Sequence, residues 1–445
     1  GKKWIYSTVP NFGGRTCPVG DLDFYLNGHL NALTSPNKGN LIGLGTAPEG
    51  VENNEVVYEI IADAAWSTSH KDIREWLRNY TVNRYGACPD AIMEFWDKML
   101  ASDYGFCSSR AQYRVQEKPF DGLGGRYSVS KTHFEALEAF VAASDELGND
   151  SAYLTDLALW TGIYAFGKAD VLAQQIHRAY LVGDKDTASS LEARFVDLMY
   201  RADRLLDLNP VTRLERWVGF AREWGKDSVE SDKYETNAKR LVTTWGRGRR
   251  ADGLDDYSCR MWSGLIRDYY LPRWQHWFDS CKEGKPFDFD AWEYKWAEES
   301  HGVSDFTHCT DPVAEARALV AAAHDIGTNP DELPGWTSFD MTDGSTRVIR
   351  MIAPEDYPLL KGLRFTWRRG EDPVKLKLVQ INAAGWVRFK KDDIGIEISR
   401  ENPVVEIPVD LKVKNGETFQ FNYLHIVLDE TKKMTDSQVT IEYVK

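Results

Sequence analysis

The chain has 445 residues, with 54 basic and 68 acidic side chains, a net charge of -14 and a hydrophobic fraction of 42%. At roughly 100–200 residues per domain, this length implies two to four domains, and the apolar content excludes wholesale disorder. No run of Lys and Arg dominates, so nucleic acid is disfavoured as a partner, and no apolar run is long enough to span a membrane.

From the start, Gly1-Lys2-Lys3 passes directly into Trp4 to Val9, an apolar run that reads as a strand, as does Leu41 to Leu44. Such an opening suggests a chain that begins inside a larger protein. Helical apolar spacing follows over Asn54 to Trp66, then over Lys71 to Tyr85 and Asp90 to Tyr104. Strand–loop–helix alternation through residue 110 points to an α/β unit with parallel strands.

Residues 126–328 are different in character. Their segments have helical periodicity, with turn-like breaks at Gly148-Asn149-Asp150, Gly183-Asp184 and Asn209-Pro210. Long helices are expected over Tyr153 to Ala179 and Ser190 to Leu208. Another covers Asp256 to Lys282, kinked or divided by Pro272. This stretch reads as an all-α domain. After the Asn329 to Gly335 linker, apolar residues alternate, as in Leu363, Phe365 and Trp367, and residues 336–445 read as a β-sandwich module.

The 16 Trp, 20 Tyr and 19 Phe fit either large aromatic core residues or sugar-stacking surfaces, and composition favours the first. Cys17, Cys88, Cys107, Cys259, Cys281 and Cys309 contain no C-x-x-C pair and read as buried free thiols. Asn-x-Ser/Thr triplets at Asn79 and Asn149 do not fix a compartment. No His/Cys/Asp cluster has metal-ligand spacing, so neither a metal nor an organic cofactor is implied.

The stretch that carries chemistry is Gly45-Thr46-Ala47-Pro48-Glu49-Gly50. Glu49 lies between Pro48 and Gly50 directly after an expected strand, where the loops of an α/β barrel form its active face. On residue logic alone, an acid favoured by the start of the next helix is the better reading, because isolated Glu residues in loops are common.

Thr46-Ala47-Pro48-Glu49-Gly50 and Asn53-Asn54-Glu55-Val56-Val57-Tyr58 resemble the signature of family 89 of the glycoside hydrolases, the α-N-acetylglucosaminidases. Asn11-Phe12-Gly13-Gly14, Arg84-Tyr85-Gly86 and Tyr269-Tyr270-Leu271-Pro272-Arg273-Trp274 match further family landmarks in the same order. The resemblance implies a multidomain fold: 1–125 as the C-terminal part of a (β/α)8 barrel, 126–328 as the all-α domain, and 336–445 as an accessory β module outside the shared core. It implies a retaining, exo-acting hydrolase that removes terminal α-linked N-acetylglucosamine from glycans. Glu49 matches the nucleophile, and Tyr6, Trp245, Leu254 and Tyr257 match positions that bind the sugar. Trp245 is expected to end a helix running from Tyr234 through Thr244, and Tyr257 to begin the next one, capped by Asp255 or Asp256. The family is secreted or periplasmic in bacteria and lysosomal in animals.

Four departures stand out. Pro10 replaces a His usual in the family, Asn83 an Arg, and the Arg15-Thr16-Cys17-Pro18-Val19-Gly20 loop is unusual. A family His has no clear counterpart near Arg110 to Tyr113.

The chemistry explains the need for a carboxylate. The 2-acetamido group of α-linked N-acetylglucosamine lies on the same face as the leaving group, so its oxygen cannot attack from behind. The enzyme must supply a carboxylate nucleophile and a second carboxyl about 5–5.5 Å away as acid/base, the latter with a raised pKa. Glu55 and Asp63 are expected on a helix running away from the active face. The resemblance implies a general acid well upstream of the Ala-Pro-Glu-Gly motif, so the acid/base is expected in an N-terminal part of the same enzyme, together with the other barrel strands. The alternatives are a related α-glycoside hydrolase with altered sugar specificity, or a glycan-binding protein without turnover.

Overall fold

The computed structural model describes residues 2–50, 55–105, 113–119, 130–182, 184–245, 255–299, 307–328, 340–341, 347–352, 356–367, 373–383, 386–411, 422–428 and 439–445. They fall into two compact units. One is built from 1–118, 131–169 and 196–325, the other from 119–130, 170–195 and 326–445.

The first unit opens with β1 (Lys3–Thr8), α1 (Leu22–Thr34), β2 (Asn40–Thr46) and α2 (Glu55–Ala64). Parallel strands need a crossover rather than a tight turn, and α1 supplies it. The strands pair from Lys3 opposite Asn40 to Thr8 opposite Thr46, with an irregularity between Trp4 and Ile5. Helix α1 starts where the Asp21 carboxylate accepts the Phe24 N–H at 2.9 Å, satisfying one of the orphan donors of the first turn. The apolar stripes Leu22/Leu26 and Val56/Val57/Ile60/Ala64 are buried, and α1 packs against α2. Trp4, Ile5 and Ile42 on the two strands remain exposed.

Next come α3 (Ile73–Tyr85), capped by Asp72 and closed by Gly86 at φ 76, and α4 (Asp90–Leu100). The left-handed Gly86 is a helix-stopping residue that any side chain would strain. The helix expected to reach Tyr104 stops at Leu100 and gives way to a short 3-10 turn, Asp103–Gly105. There the Asp103 carboxylate turns inward to His133 Nδ1 at 2.5 Å, with both side chains fully buried.

The helices Lys131–Ala142, Ser151–Val182 and Lys185–Leu206 follow, the latter two longer at their N-terminal ends than the spacing predicts. In the first unit, aromatic residues knit these helices to α3 and α4. Phe95 meets Phe140 at 4.9 Å, Phe140 stacks on Tyr153 at 5.1 Å, and Tyr85 meets Tyr153 edge-on at 5.7 Å. Much of the aromatic content is thus core. Arg84 forks onto Asp156 with bonds of 2.5 and 2.7 Å, and the Tyr85 hydroxyl donates to the same carboxylate at 2.6 Å. The Arg84-Tyr85-Gly86 motif therefore ends one helix and locks it to another.

The stretch expected as one helix from Asp256 to Lys282 is more broken. Residues 255–258 form a turn, Ile266–Tyr270 a wide π turn, and Leu271–Glu283 a regular helix with Pro272 in its first turn. Pro272 has no N–H for the preceding turn, and the wider winding accommodates the missing bond.

In the second unit, Gly362–Trp367 lies between Val439–Val444 and Val404–Pro408 in one antiparallel sheet. The other sheet runs in the order Asp340–Met341, Arg347–Ile352, Asn422–Leu428, Val374–Ala383 and Trp386–Ile398. Leu363 and Phe365 from the first sheet share one core with Leu376, Ile381, Leu424 and Ile426 from the second. Cys17 and Cys259 are buried as expected, whereas Cys88, Cys281 and Cys309 are only half-buried; Cys107 lies outside the described residues.

Removing one partner of a buried, hydrogen-bonded ion pair strands the other. Asp156→Ala should therefore cost about 3 kcal/mol of the first unit's stability. Chemical denaturation monitored by Trp fluorescence measures this, and an unchanged midpoint would contradict the role given to Asp156.

Candidate active site

Both loops that follow β1 and β2 converge on one carboxylate. The Ala47 N–H bonds Thr8 O at 2.9 Å, extending the strand pairing by one step, and the Glu49 N–H reaches Asn11 O at 3.3 Å. On the other side, the Tyr58 hydroxyl donates to Gly50 O at 2.5 Å. The Ala-Pro-Glu-Gly loop is thus tied to the preceding loop and to α2. Gly13 N–H donates to Glu49 Oε2 at 2.7 Å.

The second donor comes from far along the chain: the Tyr257 hydroxyl also donates to Glu49 Oε2. Both bonds fall on Oε2. Among the described residues, no hydrogen bond falls on Oε1. The Tyr257 hydroxyl, followed by the Gly13 amide and the nearby Arg15 charge, holds the Glu49 carboxyl below the usual carboxylate range against a modest desolvation. Tyr257 is pushed up in turn by burial and by the Glu49 charge.

Close backbone approach makes the glycines of these loops obligatory. Gly13 sits at φ 68, and a Cβ there would lie 2.3 Å from Tyr257 O. A Cβ on Gly50 would lie 2.7 Å from Gly14 Cα. Arg15 Nε donates to Tyr257 O at 2.8 Å, with its guanidinium 5.0 Å from the centre of the Tyr257 ring. Arg260 Nη1 donates to Gly13 O and, at 2.8 Å, to Ser258 O.

Of the sequence-derived site residues, Glu49, Trp245 and Tyr257 come together, with Trp245 edge-on to Tyr257 at 5.2 Å between ring centres. Tyr6 lies half-buried on β1 in register with Leu44. Leu254 lies outside the described residues. Two local expectations change. The helix before Trp245 ends at Leu241, and Trp245 takes a left-handed φ of 62 with its N–H bonded back to Arg240 O. Tyr257 starts no helix, and Asp256 is not a cap. Asp256 has φ 60 and a buried carboxylate held by Arg273. Trp245 and Asp256 are the non-glycine residues with positive φ among the described residues, and both lie beside Tyr257 in sequence or in space. Such strain costs about 1 kcal/mol or more per residue and collects at functional sites.

Sequence reasoning missed Arg260 and the roles of Gly13 and Arg15 as Glu49's neighbours. The Asn-Phe-Gly-Gly motif flagged the loop, but its partner lies more than 200 residues away. Glu55 has a raised pKa, caused by burial and then by the Asp156 charge, with a backbone hydrogen bond and Arg84 acting in the opposite direction.

The family model described as the alpha-N-acetylglucosaminidase (NAGLU) C-terminal domain matches residues 76–322, and the model of the tim-barrel domain matches 1–68. The chain belongs to the alpha-N-acetylglucosaminidase family. Human alpha-N-acetylglucosaminidase is 29% identical over 301 residues, covering 64% of this chain and 40% of the human protein. The family 89 glycoside hydrolase of Clostridium perfringens, solved in complex with 2-acetamido-1,2-dideoxynojirmycin, is 26% identical with a TM-score of 0.66, covering 72% of this chain and 39% of that one. A variant of that enzyme, solved in complex with its substrate GlcNAc-alpha-1,4-galactose, has the same TM-score, identity and coverage. The chain thus spans about two fifths of the length of these relatives. It comprises part of a barrel, together with helical and sheet portions, and Glu49 and Gly13 occupy loops that follow barrel strands.

Gly13→Ala should push the loop off Tyr257 and remove the Gly13 bond to Glu49, raising the Glu49 pKa toward the ordinary value. Carboxylate NMR of labelled glutamate reads this directly, and an unshifted Glu49 titration would show that the loop tolerates a Cβ.

Proposed function

We propose that this chain carries the nucleophile and part of the sugar pocket of a retaining, exo-acting α-N-acetylglucosaminidase. The observation that carries this reading is the Glu49 carboxylate, on a loop after a barrel strand, held ionised by Gly13 N–H and Tyr257 O–H. A nucleophile must be ionised at the working pH and must present one oxygen to the anomeric carbon. Oε1 meets the second need, because both donors sit on Oε2. The name of the human relative and the substrate bound to the clostridial one support the choice of sugar.

The mechanism follows from the stereochemistry. Glu49 attacks the anomeric carbon opposite the leaving oxygen, giving a covalent glycosyl-enzyme. Water then releases the sugar with net retention. During attack the carboxylate loses charge, and the Tyr257 and Gly13 bonds weaken with it. In return they favour the departure of the sugar from Glu49 in the second step. Trp245 and Tyr6 supply apolar faces for the ring. In this reading the acid/base and the remaining barrel strands come from an N-terminal part of the same enzyme. The exposed Trp4, Ile5 and Ile42 support this, because strands of a parallel sheet are normally covered on both faces. Residues 336–445 serve as an accessory module. A related α-glycosidase with altered sugar preference is the second reading, favoured by Arg15 against the Tyr257 ring in the loop that departs from the family. Rates on a panel of aryl α-glycosides separate the two.

Glu49→Gln in the complete enzyme should lower turnover of an aryl α-N-acetylglucosaminide by at least about 10³-fold, with the melting temperature unchanged. Substantial activity in the folded variant would remove Glu49 from the role.

A further inference from the structure

The backbone directly before Tyr257, whose phenol bonds Glu49, is held by several contacts. Asp256 is in a left-handed conformation, and its N–H bonds Thr243 O at 2.8 Å. Its buried carboxylate accepts from Arg273 Nη1 at 2.9 and 3.0 Å and from the Lys118 backbone N–H at 3.0 Å. Arg273 is itself fully buried. Its other bonds run to Gln116 O at 2.8 Å, Glu293 at 3.1 Å and the Tyr269 hydroxyl at 3.3 Å. The guanidinium is also 4.7 Å from the centre of the Tyr269 ring.

A buried ion pair is a poor source of net stability, since desolvation offsets much of the attraction. What it supplies here is geometry. Asp256 holds an unfavourable φ for a non-glycine residue, one step before the residue that touches the carboxylate. The Arg15 and Arg260 bonds to Tyr257 O and Ser258 O fix the other side of the same short turn.

We propose that the Asp256–Arg273 pair is a positioning device that sets the Tyr257 hydroxyl on Glu49, which makes Asp256 and Arg273 positioning residues for the reaction. The inference deepens the proposed function and rests on Glu49 being its working carboxylate. It also explains why a Pro-Arg-Trp segment on a helix remote in sequence accompanies the active-site motif: Arg273 holds Asp256, and Trp274 Nε1 bonds Val115 O at 3.1 Å in the segment that also contacts Arg273.

The test reads the Glu49 titration by carboxylate NMR in the full chain, with Glu49→Gln assigning the signal, so no turnover is needed and a failure here leaves the nucleophile assignment to its own kinetic test. Tyr257→Phe should raise the Glu49 pKa. Asp256→Asn should raise it too, because the phenol is displaced. This sign is opposite to the direct electrostatic effect, since removing a negative charge alone would lower a neighbouring carboxyl's pKa. The double variant should titrate like Tyr257→Phe alone. If Asp256→Asn does not fold, Arg273→Lys retains the charge without the planar guanidinium and should shift Glu49 in the same direction. A Glu49 pKa that stays put or falls in the folded variants, or shifts that add in the double variant, would overturn the proposal.

Discussion

A carboxylate on a loop keeps one orientation only while donors are held against it, and the site depends on the two that meet at Glu49 Oε2. One is the amide of Gly13 from the loop after the first strand, and the other is the hydroxyl of Tyr257 from the helical portion of the chain. The site therefore exists only where two kinds of structure are docked within the first unit. The Arg15 and Arg260 bonds across this seam serve the same docking. So do the glycines, whose missing side chains let three backbone segments approach within contact distance.

Support for this seam reaches well beyond the groups that touch Glu49. The Arg84–Asp156 fork fixes α3 against the long helix that begins at Ser151, while Arg273 fixes the turn that presents Tyr257. In both cases an arginine, half-buried at Arg84 and fully buried at Arg273, joins separate segments through a buried carboxylate in fixed geometry. Arginine suits this use because its planar fork matches a carboxylate and stays charged when buried.

The parts of the structure legible in the sequence are those set by local pattern. Val56, Val57, Ile60 and Ala64 have helical spacing and form the buried stripe of α2. Gly86 after Arg84-Tyr85 ends a helix, as a left-handed glycine does. The short apolar runs at Trp4 and Leu41 are paired parallel strands. What was not legible arises from non-local forces. Asp256 looks like a helix cap because an acid before a helical stretch usually is one, but its carboxylate is drawn to Arg273, 17 positions onward, and no helix starts there. Likewise Tyr257 offers no local sign that its hydroxyl faces a carboxylate 208 positions away. Only the co-occurrence of family motifs pointed to these regions, and the contacts explain why those motifs travel together.

The central claim is that Glu49 is the nucleophile of a retaining displacement. Its most direct test is trapping the covalent intermediate in the complete enzyme with a slowly turned-over 5-fluoro-α-N-acetylglucosaminyl fluoride, followed by peptide mass spectrometry. The account predicts one glycosyl adduct, on the peptide containing Ala47-Pro48-Glu49-Gly50, with the ester on Glu49. An adduct on another carboxylate would contradict it, as would inversion of the anomeric centre in the product of the unmodified substrate.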